Sequence, residues 1–229
     1  MDRNLGAMNT NNPGGGIGSI WYQFGRKDPF EGGTLYDTNG NKTSKTTIAW
    51  DATTQESSKK GKNVPYSVWN PLKFITNSTG GWTTGDQYCP ANGGDFMWQD
   101  PKSAPSTDGK VKKSIFDPCP SGWMVPVNGV VISFSASMSS ILDNGLGRYY
   151  YPAGTSAKEI YVFFPACGDL NSSNGGFERY NDAHYIYFWS CSPSSLSGMS
   201  ILFNYYDDIR SEYASRAYGY SVRCVQHYY

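Results

Sequence analysis

The chain has 229 residues, and its 19 basic and 19 acidic side chains give a formal net charge of zero. That balance excludes an electrostatic pull toward nucleic acid or anionic lipid, and no apolar run approaches the roughly 20 residues needed to cross a bilayer. Hydrophobic content is 38%, but 16% aromatic residues with 26 Gly and 13 Pro describe an ordered, loop-rich β chain rather than a disordered, aromatic-poor one.

Taken in chain order, Met1 to Leu5 read as the middle of an ordered segment. Neither a charged-then-apolar leader nor a lipobox occurs, so any export signal or anchor is expected outside this sequence. The aromatic island Ile20 to Phe24, followed by Gly25 to Phe30, reads as strand, turn and loop. From Thr34 to about Lys113 the chain is polar and lacks strong periodicity. Isolated aromatics at Trp50, Trp69, Phe74, Trp82, Phe96 and Trp98 suggest an insertion pinned to the body by its rings.

A second regime starts at Ser114, where two prolines and a glycine bracket Cys119 in a rigid turn. Val125 to Val131 reads as extended, and Ser137 to Leu142 as a short helix. The remaining strands are expected at Glu159 to Ala166, Tyr185 to Cys191, Ser200 to Tyr206 and Tyr220 to His227, separated by Gly, Ser, Asn and Asp turns.

The last fifty residues hold ten of the eighteen tyrosines and nine serines, with no lysine or threonine. Rigid amphipathic rings interleaved with short polar groups form the composition of a binding surface. An ordinary aromatic-rich β domain, with tyrosines in its core and at its edges, is the alternative. Five cysteines, Cys89, Cys119, Cys167, Cys191 and Cys224, are an odd number, so at least one thiol stays free or pairs outside the chain. No Cys-x-x-Cys occurs and only His184 and His227 are present, which argues against structural zinc.

Seven ordered blocks carry a family resemblance: Met1-Asp-Arg-Asn-Leu-Gly-Ala7, Tyr22-Gln-Phe-Gly-Arg-Lys-Asp-Pro-Phe30, Asp117-Pro-Cys-Pro-Ser-Gly-Trp123, Val125-Pro126, Phe164-Pro-Ala-Cys-Gly168, Phe188-Trp-Ser190 and Gly219-Tyr-Ser-Val-Arg-Cys-Val225. Together they resemble the Fibrobacter major paralogous (FISUMP) domain of surface and fimbrial proteins of Bacteroidetes. The resemblance implies a single α+β, C-type-lectin-like domain over 1–229, with mixed small sheets, few short helices and long loops. It also implies a polar insertion at about 34–113, a variable binding segment at about 180–220, an extracellular location and a Cys119–Cys224 disulfide.

Some lectin-like domains of this general kind are diversified by retroelements that mutate template adenines. Lysine and threonine codons both begin with adenine, and neither residue follows Lys158. Trp189, Phe203, Arg216, Gly219 and Arg223 then read as scaffold. The displayed, ligand-binding set is Tyr185, Tyr187, Ser194, Ser195, Ser197, Asn204, Tyr205, Tyr206, Asp207, Asp208, Ser211, Tyr213, Tyr218 and Tyr220. Expected partners are a protein or glycan on another cell or host surface, or other fimbrial subunits; nucleic acid and membrane insertion are not expected.

Catalytic chemistry finds little footing. His184 beside Asp182 and near Cys191 sketches a triad, but a lone His in so Ser-rich a segment gains such neighbours by chance. Gly14 to Gly18 has no following lysine at phosphate-loop spacing. Glu178 to Asp182 faintly echoes the Trp-Asn-Asp element of sugar-binding lectins without its Glu-Pro-Asn companion, so no metal is expected. Formylglycine-generating enzymes share the broad lectin-like architecture, but they use a C-terminal cysteine pair. Here the resemblance commits Cys224 to Cys119, leaving Cys191 without a near partner. The expectation is a binding domain without cofactor, not an enzyme.

Overall fold

The computed structural model describes residues 4–6, 20–30, 34–36, 42–44, 51–54, 68–76, 97–100, 111–130, 138–143, 147–152, 162–178, 186–194, 197–203 and 209–227. Its strands in chain order are β1 (Trp21–Gln23), β2 (Thr34–Tyr36), β3 (Lys42–Ser44), β4 (Asp51–Thr54), β5 (Lys73–Thr76), β6 (Trp123–Met124), β7 (Met138–Asp143) and β8 (Gly147–Pro152). They continue with β9 (Val162–Pro165), β10 (Asp169–Leu170), β11 (Phe177–Glu178), β12 (Ile186–Ser194), β13 (Ser197–Phe203), β14 (Ile209–Ala214), β15 (Gly219–Ser221) and β16 (Val225–Gln226). Helix among the described residues is confined to short turns at 68–69 and 128–130, so the fold there is mostly β, not an even α+β mixture.

A seven-stranded sheet runs β11-β10-β15-β12-β13-β14, with β1 also paired to β15. Smaller sheets are β7-β8-β9, β6-β16, β2-β3 and the parallel pair β4-β5. The short strand β15 joins distant parts of the chain. It pairs antiparallel with β1 (Tyr22 opposite Tyr220), antiparallel with β10 (Leu170 opposite Gly219) and parallel with β12 (Phe188 opposite Ser221).

Strand β12 is buried on both faces, and its alternation divides the core. Ile186 and Phe188 enter one cluster with Tyr150, Phe164, Ala166 and Ile209. Trp189 and Cys191 enter the larger one, with Tyr22, Phe24, Trp98, Val125, Val127, Tyr220, Val222 and the Cys119–Cys224 pair. Three buried tryptophans satisfy their indoles on main-chain carbonyls: Trp21 on Gly168 (3.1 Å), Trp98 on Arg26 (3.1 Å) and Trp189 on Tyr22 (2.6 Å).

The disulfide joins Cys119 to Cys224 across a sequence separation of 105, as the family resemblance implied. Asp117 organises the turn beneath it. One carboxylate oxygen accepts the Cys119 amide (2.8 Å), the other the Val125 amide (3.0 Å), and Lys113 Nζ lies 3.3 Å from the first. Burial raises the Asp117 pKa, against the lowering by the Val125 amide, Lys113 and the Cys119 amide. Lys113 also donates to the Trp123 carbonyl (2.9 Å), which ties the turn to β6 and hence to β16.

The polar tract is held to the body by hydrogen bonds as well as by rings. Phe74 and Trp98 are buried, whereas Trp69 is 84% exposed; Trp50, Trp82 and Phe96 lie outside the described residues. The buried Gln23 amide donates to the carbonyls of Ile75 (2.7 Å) and Ala217 (2.8 Å) and accepts the Ile75 amide (3.1 Å). Arg26, also buried, donates to the carbonyls of Lys73 and Pro71, each at 2.8 Å.

Several sequence expectations change. The helix expected over Ser137 to Leu142 is a strand in its described part: Met138–Asp143 is β7, paired along its length with β8, and Ser137 lies outside the described residues. Two serines and a β-branched Ile form a weak helix, and Arg148 of β8 donates to Ser140 Oγ (2.8 Å) across the pair. Val125 to Val131 is not a strand over its described part either. Val125 and Val127 do enter the core, but Pro126 has no amide hydrogen. Its carbonyl accepts the Cys191 amide of β12 (2.8 Å), and the chain then turns at 128–130.

Tyr220 to His227 divides into β15 and β16, because Cys224 is drawn to Cys119 between them. The strand expected at Glu159 to Ala166 is β9, and those at Tyr185 to Cys191 and Ser200 to Tyr206 are β12 and β13, each in shifted bounds; Glu159, Tyr185 and Tyr206 lie outside the described residues.

Closing so long a loop limits the unfolded chain. Replacing both Cys119 and Cys224 with Ser is expected to lower unfolding free energy by about 4–5 kcal/mol in urea titration, and reductant should lower the unaltered protein to a similar value. Gly219 has no room for a side chain, since a Cβ there would lie 2.8 Å from Leu170 Cβ. Gly219→Ala is expected to cost about 1–3 kcal/mol in the same titration.

Candidate binding surface

Tyr187 on β12 and Tyr220 on β15 stack with ring centroids 5.0 Å apart and planes 11° from parallel. Tyr218 stacks on Tyr220 at 5.2 Å and 14°. Three tyrosines from two parts of the chain therefore form one pile, and Trp189 packs against its central ring at 4.6 Å. The central ring, Tyr220, is only 4% exposed, while Tyr187 and Tyr218 are half-buried. The outer rings are held by the inner one, so they offer aromatic surface with little rotamer freedom left to lose on binding.

Strand register decides what shares that face. Tyr187 stands opposite Leu202 of β13, and Leu202 opposite Arg210 of β14; one row along, Trp189, Ser200 and Glu212 align in the same way. Directly opposed residues share one side of a sheet, so Arg210 and Glu212 belong to the tyrosine face, about 10 Å from β12 across two strand spacings. Their side chains form a 2.7 Å ion pair and remain partly exposed. Neither residue was in the set expected from sequence. Composition singled out Tyr, Ser, Asn and Asp, and only register places this ion pair on the same sheet face as Tyr187, two strands away.

Tyr213 is 74% exposed, yet it is three residues from Arg210 on β14 and therefore projects from the opposite face. Ser211 shares that opposite face and donates from Oγ to Asn128 Oδ1; Asn128 is itself anchored through its amide to Ser192 Oγ (3.0 Å). The expected display thus divides between two faces. Tyr220 is a correction to it: an inward ring under two others, in the same cluster as Tyr22 and Trp189. Ser194 and Ser197 are register partners at the closed end of the β12–β13 pair. Tyr185, Ser195, Asn204, Tyr205, Tyr206, Asp207 and Asp208 lie outside the described residues, as do His184 and Cys89.

Of the residues read as scaffold, Trp189, Arg216, Gly219 and Arg223 are all buried, and the Phe203 side chain lies outside what the structure describes. Arg216 lies over the Phe24 ring at 5.1 Å and Arg223 over Phe164 at 4.2 Å, each a cation placed on an aromatic face. Cys167 and Cys191 are unbridged and buried. Gln99 donates to the Cys191 carbonyl (2.9 Å) and approaches its sulfur (3.5 Å), while burial pushes this thiol far above its ordinary range. A thiol so placed packs as a small core side chain and is a poor nucleophile. Among the described residues no three His, Cys, Asp or Glu side chains gather to hold a metal ion, and no helix is long and apolar enough to cross a membrane.

Compared with profiles of known protein families, with curated protein sequences and with solved structures, the chain matches none.

Tyr220 and Tyr213, both expected on display, have opposite energetic roles. Tyr220→Ala is expected to cost about 3–5 kcal/mol of stability, as for removal of a buried aromatic, whereas Tyr213→Ala stays within about 0.5 kcal/mol. Urea unfolding followed by near-ultraviolet circular dichroism checks both.

Proposed function

We propose that this chain is a ligand-binding domain of an extracellular bacterial surface or fimbrial protein, of the FISUMP, C-type-lectin-like kind, and that it recognises a protein or glycan. The observation that carries the reading is the Tyr187–Tyr220–Tyr218 stack with the Arg210–Glu212 ion pair on the same sheet face. Flat half-buried rings suit the apolar faces of a sugar or the side chains of a peptide, and a charged pair at the margin supplies directional hydrogen bonds. The Tyr- and Ser-rich, lysine-free composition around it supports adaptable recognition rather than a single fixed reaction. Extracellular placement draws support from the Cys119–Cys224 disulfide, a bond that persists in oxidising compartments. In this reading retroelement diversification acts on the Tyr/Ser positions and leaves the buried frame intact.

A structural fimbrial subunit is the second reading, favoured by a separate observation. Val68, Trp69 and Leu72 present neighbouring exposed apolar side chains on a segment held from beneath by Arg26. Such a set is buried usefully between neighbouring subunits.

Binding of the full chain to a glycan array and to a panel of immobilised host glycoproteins separates the readings. Tyr187→Ala and Tyr218→Ala are each expected to weaken the strongest interaction by roughly tenfold or more, the loss typical of a central aromatic anchor, with the fold retained. Unchanged binding by both variants, together with polymer formation lost in Trp69→Ala, would favour the subunit.

A further inference from the structure

Strands β10 and β11 form a small hairpin at the end of the large sheet, with Asp169 directly opposite Glu178. Two carboxyls thus stand side by side on one face, where like charges repel. Asp169 is 1% exposed, and among the described residues neither of its carboxylate oxygens finds a hydrogen-bond partner in another residue. A carboxylate buried in that way is costly, and folded chains avoid it.

Among the described residues, the groups around Asp169 offer no compensating charge. Strand β15 contributes Gly219 opposite Leu170, β1 contributes the Trp21 indole bonded to the Gly168 carbonyl, and β11 contributes Glu178, which accepts from Asn171 Nδ2 (2.8 Å). The described side chains do not supply a three-residue metal-ligating group either. A proton is the remaining counter-charge, and a protonated Asp169 is within cross-strand reach to donate to the Glu178 carboxylate.

We propose that Asp169 and Glu178 form a proton-operated latch, which holds the β10–β11 hairpin on the sheet while Asp169 is protonated and loosens it when that proton passes to solvent. The hairpin is well placed for this. It meets β15 at one register pair, Leu170 with Gly219, and covers Trp21 through Phe177, whose ring centroid is 5.5 Å from the indole. Burial first, and the Glu178 charge second, raise the Asp169 pKa to about 7. Because an acid whose folded pKa exceeds its unfolded value of about 4 binds its proton more tightly when folded, its contribution to stability is full below about 4 and is lost as pH rises from there toward 7.

The test uses the full chain labelled with carbon-13, following side-chain carboxyl signals from about pH 4 to about pH 9, with Asp169→Asn identifying the resonance. The expected midpoint is about 7, moved lower by Glu178→Gln. Over the same range, protection of the Trp21 indole N–H from solvent exchange, taken relative to Asp169→Asn, should fall from about pH 4 and level off above the midpoint at a loss of up to about a thousandfold, the rise in pKa from about 4 to about 7 expressed as a ratio. A midpoint near the ordinary value of about 4, or the same loss of protection in Asp169→Asn, would overturn the latch. Millimolar calcium restoring protection at high pH in the unaltered protein would assign the pair to a cation instead, also overturning it. If Asp169→Asn does not fold, the Glu178→Gln midpoint still decides: an unmoved value contradicts a coupled pair.

Discussion

Burial of β15 between strands from three parts of the chain is the constraint on which the other elements depend. A three-residue strand has few hydrogen bonds of its own, and a buried strand cannot leave main-chain groups without partners. It is satisfied by β1 from the N-terminal part and by β10 and β12 from separate segments farther along. Gly219 permits this crowding because Leu170 occupies the space a side chain would need. Just beyond β15, the Val222 carbonyl accepts the Leu5 amide and Cys224 enters the disulfide, so the same short stretch fastens the N-terminal residues and the Asp117 turn.

Around that strand, polar side chains take a role usually assigned to apolar packing. Gln23 bridges β5 and the carbonyl of Ala217 with both ends of one buried amide, and Arg26 holds the carbonyls of Pro71 and Lys73. These contacts attach a polar tract that has little hydrophobic surface to bury. The arrangement also explains how Trp69 remains exposed on a segment that is nonetheless held. The anchoring is made by main-chain carbonyls, which any sequence in the tract would offer, leaving side chains such as Trp69 to face outward.

The tyrosines show how one residue type serves two purposes. Tyr22 and Tyr220 are core rings, and burial raises the Tyr22 phenol pKa far above its ordinary value, with Asp28 and Asp117 adding to the effect. Tyr187 and Tyr218 lie against Tyr220 and extend the aromatic surface outward, so the rigid interior continues into the candidate binding surface without a flexible layer between. A surface built in this way can change its outermost residues while the stack beneath keeps its geometry. Asp169, on the strand next to β15 in the same sheet, adds a buried carboxyl opposite Glu178 whose proton is coupled to the closure of a hairpin.

Sequence alone identified a β-rich chain, the aromatic strand now seen as Trp21–Gln23 and the strand through Phe188 to Ser190. Local alternation and turn residues depend on near neighbours, which is why these were legible. The cysteine pairing came through the family blocks rather than from spacing. Tertiary structure alone decided that Met138–Asp143 pairs as a strand, that Pro126 keeps its segment out of the ladder, and that Tyr187 shares a face with Arg210 and Glu212 while Tyr213 does not. The physical reason is common to all three: strand pairing and side-chain facing depend on register between residues distant in sequence, and a shift of one position sends every side chain to the other face.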